Sequence, residues 1–199
     1  MTRSVAIIGI DGAGKSSLAQ ALAKRCHGAV IVKSRRRTLG NLVYDALAID
    51  RSAEHDGRLA RETAAAFVTA LFLDFAEDQR QLAAGHPDLD LVIWDRHARC
   101  ISAHGLTQGL PAAWLRRMET IAEPPSATVW LDTPPEVAHP RLLARPLEHP
   151  ETLGYLERAR TAYASLCADD PAVARLPGDL PRQELVSRSW HILALGEAG

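Results

Sequence analysis

The chain has 199 residues, 47% hydrophobic and 24% charged, with a formal net charge of −1 at neutral pH. That length suits one domain with a full core, and the near-neutral balance offers no basic field for a nucleic-acid partner. Three cysteines, Cys26, Cys100 and Cys167, stand far apart; they form neither a disulfide framework nor a metal-ligand spacing and fit a reducing cytosol.

The first apolar run, Val5 to Ile8, predicts a buried strand and is too short for a secretory leader. It leads into Gly9-Ile10-Asp11-Gly12-Ala13-Gly14-Lys15-Ser16, which fits G-x-x-x-x-G-K-[ST]. Ser17 to Ala23 predicts the helix that follows. Strand, loop and helix is the context in which this motif cradles phosphate. The glycines let successive N–H groups turn toward one anion, and the new helix adds its positive end. Lys15 is the residue to reach β- and γ-phosphates, and Ser16 the one to offer a hydroxyl to Mg²⁺.

Ala29 to Val32 reads as a second buried strand, followed by a basic turn from Lys33 to Arg37 and a helix over about 40–49. A long helix is expected over about 58–84; its apolar stretch, Thr63 to Phe75, is cut by Asp74, Glu77 and Asp78, so it is a buried helix and not a membrane span. Leu91 to Trp94 reads as the third strand, with a short helix near 98–104. Another helix opens at Pro111 and ends before Pro124. Ala127 to Leu131 is the fourth strand, and Pro134-Pro135 open a helix reaching about Arg145. Glu151 to Cys167 reads as helix, Val173 to Leu176 as a weaker fifth strand, and about 181–195 as the last helix.

Alternating strands and helices predict the α/β class, a five-stranded parallel sheet with helices on both faces. Ligands then sit beyond the carboxyl ends of the strands, at the phosphate loop, Lys33 to Arg37, Asp95 to Arg99, and Asp132-Thr133. Asp95 ends the third strand; a carboxylate there holds Mg²⁺ through water or accepts a proton from an attacking group. Arg96 beside it offers a planar fork for a phosphate.

Here the chain resembles the thymidylate kinases, the P-loop nucleoside monophosphate kinases. Gly9 to Ser17 is similar to their phosphate loop, and Asp95-Arg96-His97 to their Asp-Arg-Tyr/His signature. Gly109-Leu110-Pro111, Ile121-Ala122, Pro124, Leu131 to Ala138, Arg141-Leu142 and Arg145 follow in the family's order. Leu156 to Arg160 with Tyr163 resembles the helix after the family's lid, so the likeness covers about residues 4–167. It implies a single P-loop NTPase domain over 1–199 with a short lid near 145–152. It also implies ATP and Mg²⁺ as cofactors, a small-molecule phosphoryl acceptor, and a homodimer through the long helices. Asp11, Gly12, Ala13, Gly14, Lys15, Ser16 and Ser17 would hold ATP, with Arg141 near adenine. Ser16 and Asp95 would serve the metal, Arg96 the acceptor phosphate, and Phe75 the acceptor base.

Four departures concern the acceptor side and the lid. The family's Arg-Glu-Pro-Gly-Gly-Thr is replaced by Ser34 to Gly40 with arginines at 35–37, either a solvated turn or a clamp in which Arg35 and Arg37 meet a phosphate. The family's thymine-reading arginine gives way to Gln79, with Arg80 about 100° round the helix; Gln79 hydrogen-bonds a base or faces solvent. Beyond the Asp-Arg motif, Arg99 is an added positive group, Cys100 replaces a serine, and His104 stands near the family's sugar-packing tyrosine. Finally, the family takes a catalytic arginine from the phosphate loop or the lid. Gly12 fills the loop position and 146–152 holds no arginine, which leaves Arg145.

The expected function is ATP-dependent phosphorylation of a nucleoside monophosphate, thymidine monophosphate first. An unusual nucleotide or phosphorylated metabolite is the alternative acceptor, and a regulatory nucleotide hydrolase the third reading.

Overall fold

The computed structural model describes residues 3–26, 28–33, 38–86, 89–146 and 149–193. Five parallel strands form one sheet in the order β2-β3-β1-β4-β5. They are β1 (Arg3–Ile8), β2 (Ala29–Val32), β3 (Leu91–Asp95), β4 (Ala127–Asp132) and β5 (Val173–Pro177). Val5 to Ile8 at the sheet centre are fully buried, which is why this run carries no polar alternation. β2 pairs only with β3, and Ile31 on it is 36% exposed. The second strand is therefore a half-exposed edge and not the buried strand its composition predicts.

Nine helices are described: α1 (Lys15–Ala23), α2 (Thr38–Ala46), α3 (Arg51–Asp56), α4 (Arg61–Gly85), α5 (Ala98–Thr107), α6 (Ala112–Glu119), α7 (Pro135–Leu143), α8 (Leu153–Cys167) and α9 (Arg182–Ile192). The helix expected over 40–49 stops at Ala46, and Ala48 turns the chain at φ 45°. Asp50 then caps α3 by accepting from Ser52 N at 2.8 Å, and Gly57 ends it at φ 69°. The long helix starts at Arg61, later than expected.

α4 supplies the buried face of Ala64, Val68, Phe72 and Phe75. Its Asp74 is buried and accepts from the first N–H groups of α2, Leu39 N at 3.0 Å and Gly40 N at 2.8 Å. α2 is thus fixed by a side chain that comes from outside its own segment. Thr152 caps α8 by accepting from Tyr155 N at 3.2 Å, so Glu151 lies before the helix and not inside it. Among the described residues no helix is long and apolar enough to cross a membrane.

Candidate functional site

The phosphate loop turns between β1 and α1 on three glycines of positive φ. Gly9 has φ 143°, and a Cβ there would stand 2.6 Å from the Leu131 carbonyl oxygen. Gly12 has φ 82°, and a Cβ there would run into the Ala138 backbone of α7. Gly14, at φ 97°, caps α1. Thr133 Oγ1 donates to the Ala13 carbonyl at 3.3 Å, tying the loop to the end of β4.

Lys15 opens α1 and is 5% exposed. Its Nζ donates to Gly9 O at 2.9 Å, Ile10 O at 2.8 Å and Asp11 Oδ1 at 3.3 Å. Burial lowers the Lys15 pKa, Arg96 lowers it further, and Asp11 opposes both. Arg96 leaves β3 with a positive φ of 92°, a conformation costing about 1–3 kcal/mol outside glycine. Its N–H donates to Ile7 O at 3.2 Å, and its guanidinium donates to Asp11 Oδ1. The Asp11 charge raises the Arg96 pKa. Burial works to raise the Asp11 pKa, but Arg96 and Lys15 outweigh it and hold the carboxyl well below the usual range.

Asp95, 2% exposed, ends β3 beside the loop. Its Oδ2 accepts from Ser16 Oγ at 2.5 Å and lies 3.9 Å from Lys33 Nζ. Its Oδ1 is buried with no hydrogen-bond partner among the described residues. A carboxylate oxygen facing a serine hydroxyl is the donor pattern that suits a hydrated divalent cation.

Two cavities meet here. The larger, about 630 Å³, is walled by Asp11, Phe75, Arg96, Cys100, His104 and Glu151 among others. The smaller is walled by Gly12, Gly14, Lys15, Ser16, Ser17 and Asp95. Arg96 and Arg145 line both. Phe75 packs its ring on His97 at 4.8 Å and Trp94 at 5.1 Å. Burial pushes His97 down to about 4, so it packs as a neutral ring. His104 Nδ1 lies 2.9 Å from Tyr155 Oη, and its Nε2 lies 3.7 Å from Glu54 Oε1. Cys100 and Tyr163 both line the larger cavity.

Three expected site residues are placed elsewhere. Gln79 spends both ends of its amide on the backbone of Glu123, at 3.0 and 2.9 Å, and does not line the cavity. Arg99 pairs with Glu119 at 3.1 Å and Asp170 at 2.6 Å, a strut across α5, α6 and the end of α8. Arg141 is exposed on the last turn of α7 and lines neither cavity. Arg35 and Arg37 lie outside the described residues. At the rim after β4, Asp132 is taken by Arg160 at 2.6 Å and Arg175 at 2.8 Å.

The structure also brings in residues that sequence reasoning passed over. Arg51 and Glu54 reach the cavity from the unforeseen α3, and Tyr155 from α8. Glu151 lines the same cavity as Asp11; burial first, and the Asp11 charge second, push it up to about 7. Its one sequence signal is its place directly before the capping residue Thr152.

Comparison with known proteins agrees with this geometry. Residues 7–188 match the family model described as thymidylate kinase. The chain is 34% identical over 192 residues to a thymidylate kinase of Xanthomonas euvesicatoria pv. vesicatoria, covering 93% of this chain and 76% of that one. It is 35% identical over 169 residues to one of Xanthomonas oryzae pv. oryzae, covering 81% and 70%. A thymidylate kinase of a Synechococcus species is 30% identical over 117 residues, covering 56% and 55%.

Proposed function

The chain belongs to the thymidylate kinase family, and from that premise we propose that it transfers the γ-phosphoryl group of ATP to thymidine monophosphate. The observation that carries this reading is the position of Arg96. It reaches from the rim of β3 into both cavities, beside Lys15 in one and Phe75 in the other. Donor phosphates belong with the loop N–H groups and Lys15. The acceptor phosphate belongs at Arg96, with its base toward Phe75. The acceptor oxygen attacks the γ-phosphorus in line, and positioning with charge balance supplies most of the rate.

Mg²⁺ fits the residues present, because the buried Asp95 Oδ1 lacks a partner and Ser16 stands opposite Oδ2. Ser16 and Asp95 would hold it, and it would neutralise charge on the phosphates. Arg145 is the arginine we assign to the transferring group, since it lines both cavities while Gly12 is closed off by Ala138. The segment from Arg145 to Thr152 corresponds to a lid. Leu73, 43% exposed on α4, supports pairing of two copies through that helix. The setting we propose is the cytoplasm.

A second acceptor is the alternative, because Gln79 is committed to Glu123 and His104 lines the cavity where the family has its sugar-packing tyrosine. A panel of nucleoside monophosphates with ATP, followed by ADP release, tests both. Fastest turnover of thymidine monophosphate supports the first reading. Turnover confined to another acceptor supports the second, and acceptor-independent hydrolysis overturns both.

A further inference from the structure

We propose that Glu151 is a positioning residue that sets the charge around the acceptor phosphate, donating its proton to Asp11 in one state and cancelling the cationic excess of Lys15 and Arg96 in the other. The proposal rests on the reading that the acceptor phosphate docks at Arg96.

The argument begins with geometry. Asp11 Oδ1 takes both Lys15 Nζ, at 3.3 Å, and the Arg96 guanidinium. Glu151 lines the same cavity as that Asp11 and Arg96, and the Asp11 charge acts on its carboxyl. Two carboxyl groups brought together in a partly buried site keep one proton between them, because two like charges there repel. Asp11 faces the two cations, so the proton belongs to Glu151. Its pKa of about 7 agrees. With Glu151 neutral, Lys15 and Arg96 face one negative charge and the group is net positive, which favours a phosphate dianion. With Glu151 ionised the excess is gone and a carboxylate stands beside the acceptor.

Other groups face this pair from every side. Arg145 and His149 come from the segment that follows α7; Lys33 and Asp95 line the rim. Tyr155 and Tyr163 come from α8, and burial raises both phenols so that they stay protonated. His104 and His55 pack against Tyr155, and Glu54 stands 3.7 Å from His104. The test must therefore be specific to Glu151, and Glu151→Gln serves because an amide N–H donates to Asp11 at any pH.

Acceptor KM and kcat are measured across about pH 6 to 8.5 for the wild type and E151Q, with ¹³C-glutamate NMR titration of the ligand-free proteins. The wild type should show acceptor KM rising roughly tenfold through a single ionisation, with kcat moving far less. E151Q should show a flat KM, and the carboxyl resonance titrating near 7 should be missing from it. A wild-type KM profile retained in E151Q, or no glutamate titrating near neutrality, overturns the proposal. A near-neutral titration lost in E151Q, in a protein that phosphorylates no monophosphate, sustains the carboxyl pair and overturns the acceptor reading instead.

Discussion

Ser16 Oγ donates to Asp95 Oδ2 at 2.5 Å, joining the first turn of α1 to the end of β3 across 79 positions of sequence. The pairing exists because β1 and β3 are neighbours in register, Ile7 opposite Asp95. The residue that ends one strand therefore faces the loop that leaves the other. The donor half of the site is a product of sheet order as much as of the motif itself.

Asp95→Asn should lower phosphoryl transfer by about a hundredfold or more, the scale of losing one preorganised charge partner at a reacting group. The Mg²⁺ concentration for half-maximal rate should rise with it. Steady-state kinetics over a Mg²⁺ series checks both, and an unchanged Mg²⁺ requirement would remove Asp95 from the metal site.

Arg145→Ala should cut kcat by about a thousandfold, in the range known for an arginine facing a transferring phosphoryl group. The KM for ATP should change little, since the loop and Lys15 are untouched. Single-turnover kinetics separates this from slowed product release. A loss of only a few-fold would assign the role to Arg96 or to another arginine.

Asp74→Ala should cost about 1–2 kcal/mol, the value of a lost helix cap, because Leu39 N and Gly40 N lose their acceptor. Urea unfolding measures the cost. Since Asp74 neighbours Phe75, acceptor KM should rise while ATP KM holds.

Asp132 gives the protein a pH-dependent element of stability. Burial raises its pKa, but hydrogen bonds from Arg160 and Arg175 outweigh that and leave it below its ordinary 3.8. A carboxylate with a lowered folded pKa contributes stability above its unfolded value and loses it as pH falls through the folded one. The urea midpoint should therefore drop on acidification below about pH 4, and Asp132→Asn should flatten that part of the curve. Parallel curves for the two proteins would count against the assignment.

The donor half was legible because its chemistry is local: Gly9 to Ser16 is contiguous, and Asp95-Arg96 ends a strand of unbroken apolar residues. The remainder depended on pairings between distant segments. Gln79 and Arg99 carry the polar groups expected of a binding surface, yet their partners, Glu123, Glu119 and Asp170, come from far along the chain. α3 was hidden because Leu47, Ala48 and Ile49 extend an apolar pattern that φ 45° at Ala48 interrupts. Glu151 was absorbed into a helix because a start at 151 and a start at 153 look alike until Thr152 is seen to cap. The exposure of β2 depended on strand order, which its Val-rich composition does not encode.

Gly12 lies against the backbone of Ala138 in the middle of α7, and Arg145 follows two residues after that helix ends. A side chain at position 12 would meet the backbone of α7 before it met any ligand. While that helix holds its place, the loop admits nothing larger than hydrogen there, so the packing of a distant helix fixes the identity of a residue in the phosphate loop.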